Sequence, residues 1–379
     1  MISQREKIRN NFQMQKTKWY LKYVNEPNVF IYLLYWMGLL EDSDTTLRRR
    51  VTHRIVLAIF LLVSLDVVIM TVLRAFYESN LRELLICMST YIIRLFIFLE
   101  MRRKRKFMSI LLRMLQEVRP HAEKKKTCNL FYSICFAHVI SIVLHACSKF
   151  RAQTAWFLAY CNPINDPQHQ VLLILLKGTA NSILYPIFPT LVLFFLCMLC
   201  QRICYEIRRL TAEISKLSPK EFTVSKQVDI LRHKRKVEDI LNILQNLFYS
   251  SSFFICMANS CSCCTQIGWV VGIYRLENDW TMLTLFFLQL ACSAASLLAC
   301  LWVAGGLPIQ MQAFIKEFQQ KIEHRLMLRG REDEVNFGGR LDERSVFVLS
   351  GYDIIHFKRS SILALAASVL TYTLLLIKY

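Results

Sequence analysis
The chain has 379 residues, 54% of them hydrophobic and only 20% charged, with just 10 Gly and 8 Pro. Its apolar residues come in blocks of about 20, which argues against a soluble domain and for membrane spans. A formal net charge of +19 would suggest nucleic acid in a soluble protein, but the distribution of that charge gives it another cause.

In chain order, residues 1–27 are polar and carry six Lys or Arg, so no cleavable signal peptide is expected. The first apolar run, Val29 to Leu40, is too short to span; it lies in the interface or packs on the bundle. Span one is Ile55 to Leu73, with Asp66 inside it, and span two is Leu81 to Leu99, with Arg94 inside it. These two charges differ by about 10 Å in depth by the helical rise, so direct pairing is not expected. Span three is Cys128 to Cys147. Span four, Gln170 to Leu199, is longer than a bilayer needs, carries Lys177 near its start, and should kink at Pro186 and Pro189. Span five is Tyr249 to Tyr274, rich in Ser and Cys, and span six is Thr281 to Val303. Span seven occupies Lys358 to Tyr379, with no charge, Gly or Pro between Arg359 and Lys378. At about 1.5 Å per residue it just crosses a hydrocarbon core of about 30 Å. The fold class is therefore all-α, with seven transmembrane helices.

Lys and Arg number ten in residues 1–54, two in 74–83, ten in 101–127 and two in 148–168. The series continues with ten in 201–246, one in 273–280 and nine in 304–359. Rich and poor segments alternate, and basic loops stay cytoplasmic. This puts the N-terminus inside, the C-terminus outside, and 39 of the 47 positive charges on the cytoplasmic face. That accounts for the basicity without nucleic acid and is opposite to a G-protein-coupled receptor. The chain divides into a cytoplasmic segment 1–54, spans one to six over 55–303 with cytoplasmic loops 101–127 and 201–246, a cytoplasmic segment 304–357, and the last span 358–379. In the loops, Ile207, Leu210, Ile214 and Leu217, then Val237, Ile240, Leu241, Ile243 and Leu244, then Ile309, Phe314, Phe318, Ile322 and Leu326 recur at helical spacing. They read as helices that continue spans four, five and six below the membrane, with apolar faces that need each other or another subunit.

No phosphate loop, nucleophile elbow or His-Glu-x-x-His is present, so no enzyme is expected. Fourteen cysteines include Cys197-x-x-Cys200 and Cys261-x-Cys263-Cys264. Both sets lie in spans with no His alongside and read as small hydrophobes, not as a metal site. Cys147 and Cys161 flank the outer loop after span three and form a candidate disulfide. The run Arg102-Arg103-Lys104-Arg105-Lys106 reads as a topology anchor, with anionic lipid as the lesser alternative. Polar residues inside spans are costly and therefore informative. His138, Ser141 and His145 share one face of span three, and Ser262, Gln266 and Trp269 one face of span five. Asn181 and Tyr185 in span four, Tyr91 in span two and Gln289 in span six lie at a similar outer depth. Together these residues outline either a ligand pocket open to the outside or hydrogen bonds that hold the helices together.

The chain's end resembles the insect gustatory receptor family. That family closes its seventh span with Thr-Tyr, five hydrophobic positions and Gln-Phe; here stand Thr371-Tyr372, Thr373 to Ile377, and Lys378-Tyr379. The preceding Gly351-Tyr352-Asp353-Ile354-Ile355-His356 resembles the family's lead-in to that helix. Lys378 and Tyr379 depart from the pattern. The resemblance implies a ligand-gated cation channel subunit, with four subunits, alike or related, around one pore lined by the seventh helix. It places Thr371, Tyr372, Ile377, Lys378 and Tyr379 at the pore or gate, joins the subunits through their cytoplasmic loops, and puts a small-molecule pocket in the outer half. It further implies the plasma membrane of chemosensory neuron dendrites, and no cofactor. The alternatives are an insect odorant receptor subunit, which shares the fold, or a non-channel membrane transporter.

Overall fold
The computed structural model describes residues 33–35, 37–40, 47–78, 81–116, 124–148, 151–183, 187–276, 280–329 and 347–378. The helices among them are α1 (Leu47–Glu78), α2 (Leu81–Arg103), α3 (Arg105–Gln116), α4 (Lys124–Cys147), α5 (Arg151–Leu158) and α6 (Pro167–Ser182). They continue with α7 (Phe188–Lys216), α8 (Val224–Leu276), α9 (Trp280–Ala304), α10 (Gly306–Arg329) and α11 (Ser361–Lys378). A small antiparallel hairpin, β1 (Ser350–Gly351) and β2 (Ile355–His356), precedes α11. The fold is all-α, and helices occupy all seven expected spans. Among the described residues, Val51–Tyr77, Phe188–Lys216, Val224–Ile267 and Leu283–Leu328 are long and apolar enough to cross a bilayer. The pair Phe131–Cys147 and Arg151–Leu158, bent by 106°, adds a fifth if it counts as one span.

The core is built around α7. Every residue from Phe188 to Cys200 is buried, as expected of a helix apolar on all sides. Below that, burial narrows to Ile203, Cys204, Glu206, Ile207, Leu210 and Ile214, one face at three- and four-residue steps. The change marks where the helix leaves the centre of the bundle. Stacked Phe60 and Phe98, with ring centroids 3.7 Å apart, meet Phe188 edge-on and join α1 and α2 to the top of α7.

Span four holds two α-helical stretches, α6 and α7, on either side of residues 184–186, which lie outside the described residues. α6 begins on a cap, with Asp166 accepting from the Gln168 amide at 2.9 Å and Pro167 in its first turn. It ends at Ser182, and α7 restarts at Phe188 with Pro189 in its first turn. Ile183 and Ile187, on either side of residues 184–186, both keep helical backbone angles. Pro189, in the first turn of α7, has no amide hydrogen to give, and the kink expected at Pro186 lies outside the described residues.

Span five and the loop before it form the single helix α8 of 53 residues, about 80 Å long at the α-helical rise. A hydrocarbon core of about 30 Å leaves more than half of it outside. There Val237, Ile240, Leu241 and Leu244 are buried. α10 buries Leu307, Met311, Phe314, Ile315, Phe318 and Ile322 in contact with α7. These loop helices thus satisfy one another within the chain. Ile309, expected on the packed face, is exposed. The described part of the first apolar run packs on the bundle, with Leu34, Leu39 and Leu40 buried and Tyr35 edge-on to His53; residues 29–32 and 36 lie outside the described residues.

Candidate functional site
Three outer polar residues from three helices form one hydrogen-bonded chain. Gln266 of α8 donates through Nε2 to Gln289 Oε1 of α9 at 2.8 Å, and Gln289 Nε2 donates to Ser141 Oγ of α4 at 3.1 Å. One turn deeper on α8, Ser262 shares a hydrogen bond with Ser293 of α9 at 3.2 Å. Gln266 Oε1 is buried and accepts no hydrogen bond among the described residues. His138 is buried one turn from Ser141 on α4. His145, a turn further on, keeps a buried Nδ1 with no partner among the described residues. Two polar atoms next to a satisfied amide chain are what a ligand with a donor and an acceptor would complete.

The other candidates fall elsewhere. Tyr91 packs, half-buried, against the hydrophobic core. Asn181 lines a separate cleft on the α1 side of α6. Tyr185 lies outside the described residues, as does the side chain of Trp269. No disulfide joins Cys147, which is exposed, to Cys161, which is buried. Among the described residues, no group of three His, Cys, Asp or Glu is arranged to hold a metal ion.

The cleft beside Asn181 contains chemistry that the sequence did not bring together. Lys177 of α6 donates to Asp66 Oδ1 of α1 at 2.9 Å, and the Tyr160 hydroxyl donates to the same oxygen. The Lys177 ammonium stands 3.9 Å from the Tyr160 ring centroid, a cation–π contact. Tyr160 and Cys161 both have positive φ, 58° and 63°, in the turn that brings the Tyr160 ring over the pair. Asp66 therefore pairs with Lys177 and not with Arg94.

A second constellation joins the long helix to the last one. The Gln245 amide of α8 clamps Ser350, donating to its carbonyl at 2.8 Å and accepting from its amide at 3.0 Å. Asp353 accepts from Ser350 Oγ at 2.8 Å and from the Tyr249 hydroxyl at 3.1 Å. Tyr352 packs on the rings of Tyr249, Phe253 and Phe254. At Gly351 a side chain would meet the Phe253 backbone at 3.1 Å, so the hairpin lies flush on α8 only because glycine stands there. Past the hairpin, the Arg359 guanidinium lies 4.2 Å from the Trp302 ring centroid, and Gly305 gives room to the Arg359 amide.

The helix that follows leans on the bundle by a narrow stripe. Ile362, Leu365 and Val369 are half-buried, at steps of three and four. Leu363, Leu370 and Leu374 are 76%, 61% and 67% exposed, and Thr371 is exposed too. Tyr372, Ile377 and Lys378 continue the helix, with side chains outside the described set, and Tyr379 lies outside the described residues. An apolar face this open on a spanning helix is a surface for lipid or for another chain.

No family model matches the chain, and no curated protein does. Among solved structures, it is similar to the insect olfactory receptor OR5 from Machilis hrabei, with a TM-score of 0.69 at 11% identity. That match covers 94% of this chain and 97% of the other. The same receptor in complex with eugenol matches with a TM-score of 0.60 at 10% identity, over 94% and 98% of the two chains. The likeness is one of fold. It runs from end to end, so this chain has the all-helical fold of an insect olfactory receptor at nearly its full length.

Proposed function
We propose that the chain is a subunit of a chemosensory cation channel opened by a small molecule, of the gustatory type. The observation that carries this reading is the fold likeness over nearly all of both chains. The gustatory branch rests on Thr371-Tyr372 at the end of the last helix. In this reading the N-terminus is cytoplasmic, as the alternation of basic loops requires. The open face of α11 meets three other subunits around one pore, and the Ser141–Gln289–Gln266 chain with His145 borders the ligand pocket. Patch-clamp recording of cells expressing this chain alone, screened with sugars, bitter alkaloids and cuticular hydrocarbons, tests it. An evoked cation current is the expected result, and silence at proven surface expression, with or without co-expressed relatives, overturns it. The second reading, an odorant receptor, is favoured by the solved structures, since both are of an olfactory receptor and one holds eugenol. Currents that appear with volatile odorants and only beside a common co-receptor would select it.

In the gustatory reading Lys378 takes the place of a Gln near the outer mouth of the pore. Two ammonium groups about 8 Å apart repel by about 2 kcal/mol at an effective dielectric near 20, and a permeating cation meets the same field. Homomers of this chain are therefore expected to conduct cations poorly, and Lys378→Gln to raise the single-chain current. An unchanged current removes Lys378 from the conduction path.

A further inference from the structure
The Asp66–Lys177 cleft is a cavity of about 390 Å³ between α1 and α6, within the range of about 300–1,000 Å³ typical of small-molecule sites. Its lining includes Leu62, Asp66, Leu176, Lys177, Ala180 and Asn181, and none of its lining residues belongs to α8 or α9. It is thus separate from the glutamine chain. Leu62, Leu65 and Ile69 of α1 and Leu172 and Leu176 of α6 are exposed. Val51–Tyr77 of α1 is long and apolar enough to cross a bilayer, and acyl chains beside it would cover these leucines and isoleucines, so the mouth of the cleft has apolar walls.

The polar end of the cleft is unfinished in one sense only. Lys177 and Tyr160 both donate to Oδ1 of Asp66, and no donor among the described residues reaches its other oxygen. Asn181 Oδ1 is buried and accepts no hydrogen bond among the described residues either. The unanswered acceptors at this end are the second oxygen of Asp66 and Asn181 Oδ1. The charge is already balanced, because the Asp66 carboxylate has the Lys177 ammonium at 2.9 Å. A cationic head would be repelled by Lys177 and an anionic one by Asp66. A neutral head with two donor hydrogens meets neither objection.

We propose that this cleft is a second binding site, for a neutral long-chain amphiphile whose head carries at least two O–H or N–H donors, such as a monoacylglycerol or a primary fatty amide. The head donates to Asp66 and Asn181, and the chain lies along Leu62 and Leu176 toward the lipid. The site does not depend on whether the chain conducts ions, so its test is separate from that of the channel. Full-length protein in nanodiscs is labelled with a diazirine-bearing monoacylglycerol, and the adducts are mapped by mass spectrometry. Labelling is expected on the peptides that contain residues 62–66 and 176–181. Leu176→Trp, at an exposed wall position that tolerates bulk, should abolish it. Asn181→Leu should weaken it by about five- to tenfold, the worth of one hydrogen bond, with gel filtration as the check on folding. Competition by unlabelled monoacylglycerol assigns a glyceride, and competition by a primary fatty amide assigns the amide. The overturning results are equal competition by the di-O-methyl ether of the monoacylglycerol, which has no donors, and labelling that Leu176→Trp leaves unchanged.

Discussion

The stretch Phe188–Cys200 of α7 and the helix α11 are both strongly apolar, yet the protein uses them in opposite ways. From Phe188 to Cys200 every residue of α7 is buried, whereas the described side chains of α11 pack on the core through Ile362, Leu365 and Val369 and leave Leu363, Leu370 and Leu374 exposed. Hydrophobicity alone does not separate them. Side-chain size does: the buried part of α7 carries Phe188, Phe194 and Phe195 among Leu residues, which fill a core. α11 carries Ala364, Ala366, Ala367 and Ser368 within five positions, and such small residues let another backbone come close. One helix is finished within the chain, and the other presents an apolar face to lipid or to another chain.

The comparison breaks most sharply in the core. Phe195→Ala removes a ring that is fully buried and packs 6.1 Å from Phe248, and a large-to-small change of this kind costs about 3–5 kcal/mol. Detergent-solubilised protein should melt at clearly lower temperature, and surface expression should fall. A melting curve like that of the wild type would mean that α7 is not the centre of the bundle.

The next effect lies at the joint between the two regions. Gly351→Ala places a methyl 3.1 Å from the Phe253 backbone, so the hairpin must lift from α8 and loosen the Gln245–Ser350 clamp. Overpacking costs about 1–3 kcal/mol. The expected result is folded protein with a reduced evoked current, because α11 has lost its fixed start relative to α8. Current and stability that both match wild type would show that the hairpin carries no coupling.

A smaller change follows at the outer amide chain. Gln289→Ala leaves Gln266 Nε2 and Ser141 Oγ without their shared partner. Hydrogen bonds between membrane helices are worth about 0.6 kcal/mol on average and up to about 2 kcal/mol, so the protein stays at the surface. If the chain borders the ligand pocket, the half-maximal concentration rises several-fold; an unmoved dose–response curve assigns these residues to helix packing alone.

Much of this layout was legible in the sequence. Runs of about 20 apolar residues mark spans because backbone polar groups must be satisfied internally in lipid. The continuation of α7, α8 and α10 as helices beyond the apolar runs was legible in the spacing of Ile207, Leu210 and Ile214 and of Phe314, Phe318 and Ile322. The pairing of Asp66 with Lys177 was not, because the two stand 111 positions apart. Which charges meet depends on how α1 and α6 are rotated about their axes, and periodicity leaves that free. The same limit misassigned Asn181, which shares a depth with the glutamines but faces α1. Ile309 went astray because the buried stripe through Phe314, Phe318 and Ile322 continues through Met311 and Leu307, two positions to either side of it. The Gln245–Ser350 clamp rests on backbone groups, and those leave no mark in a pattern of side chains.

The smallest expected effect is the one that decides what α11 is for. Leu370 is 61% exposed, so Leu370→Ala removes contacts with no other part of the chain. Substitutions at such positions change the stability of a single subunit by no more than about 0.5 kcal/mol, and the melting curve should not move. The same truncation at Leu193 of α7, which is wholly buried, should cost about 2–5 kcal/mol. If the open face of α11 meets other subunits, Leu370→Ala leaves the subunit intact and acts on the assembly alone. Mass photometry in detergent should then show fewer tetramers, and recording should show altered gating at equal surface expression. If the face meets only lipid, the truncation leaves an apolar side chain in an apolar solvent and nothing changes in either measurement. That outcome would keep the fold and remove α11 from the pore.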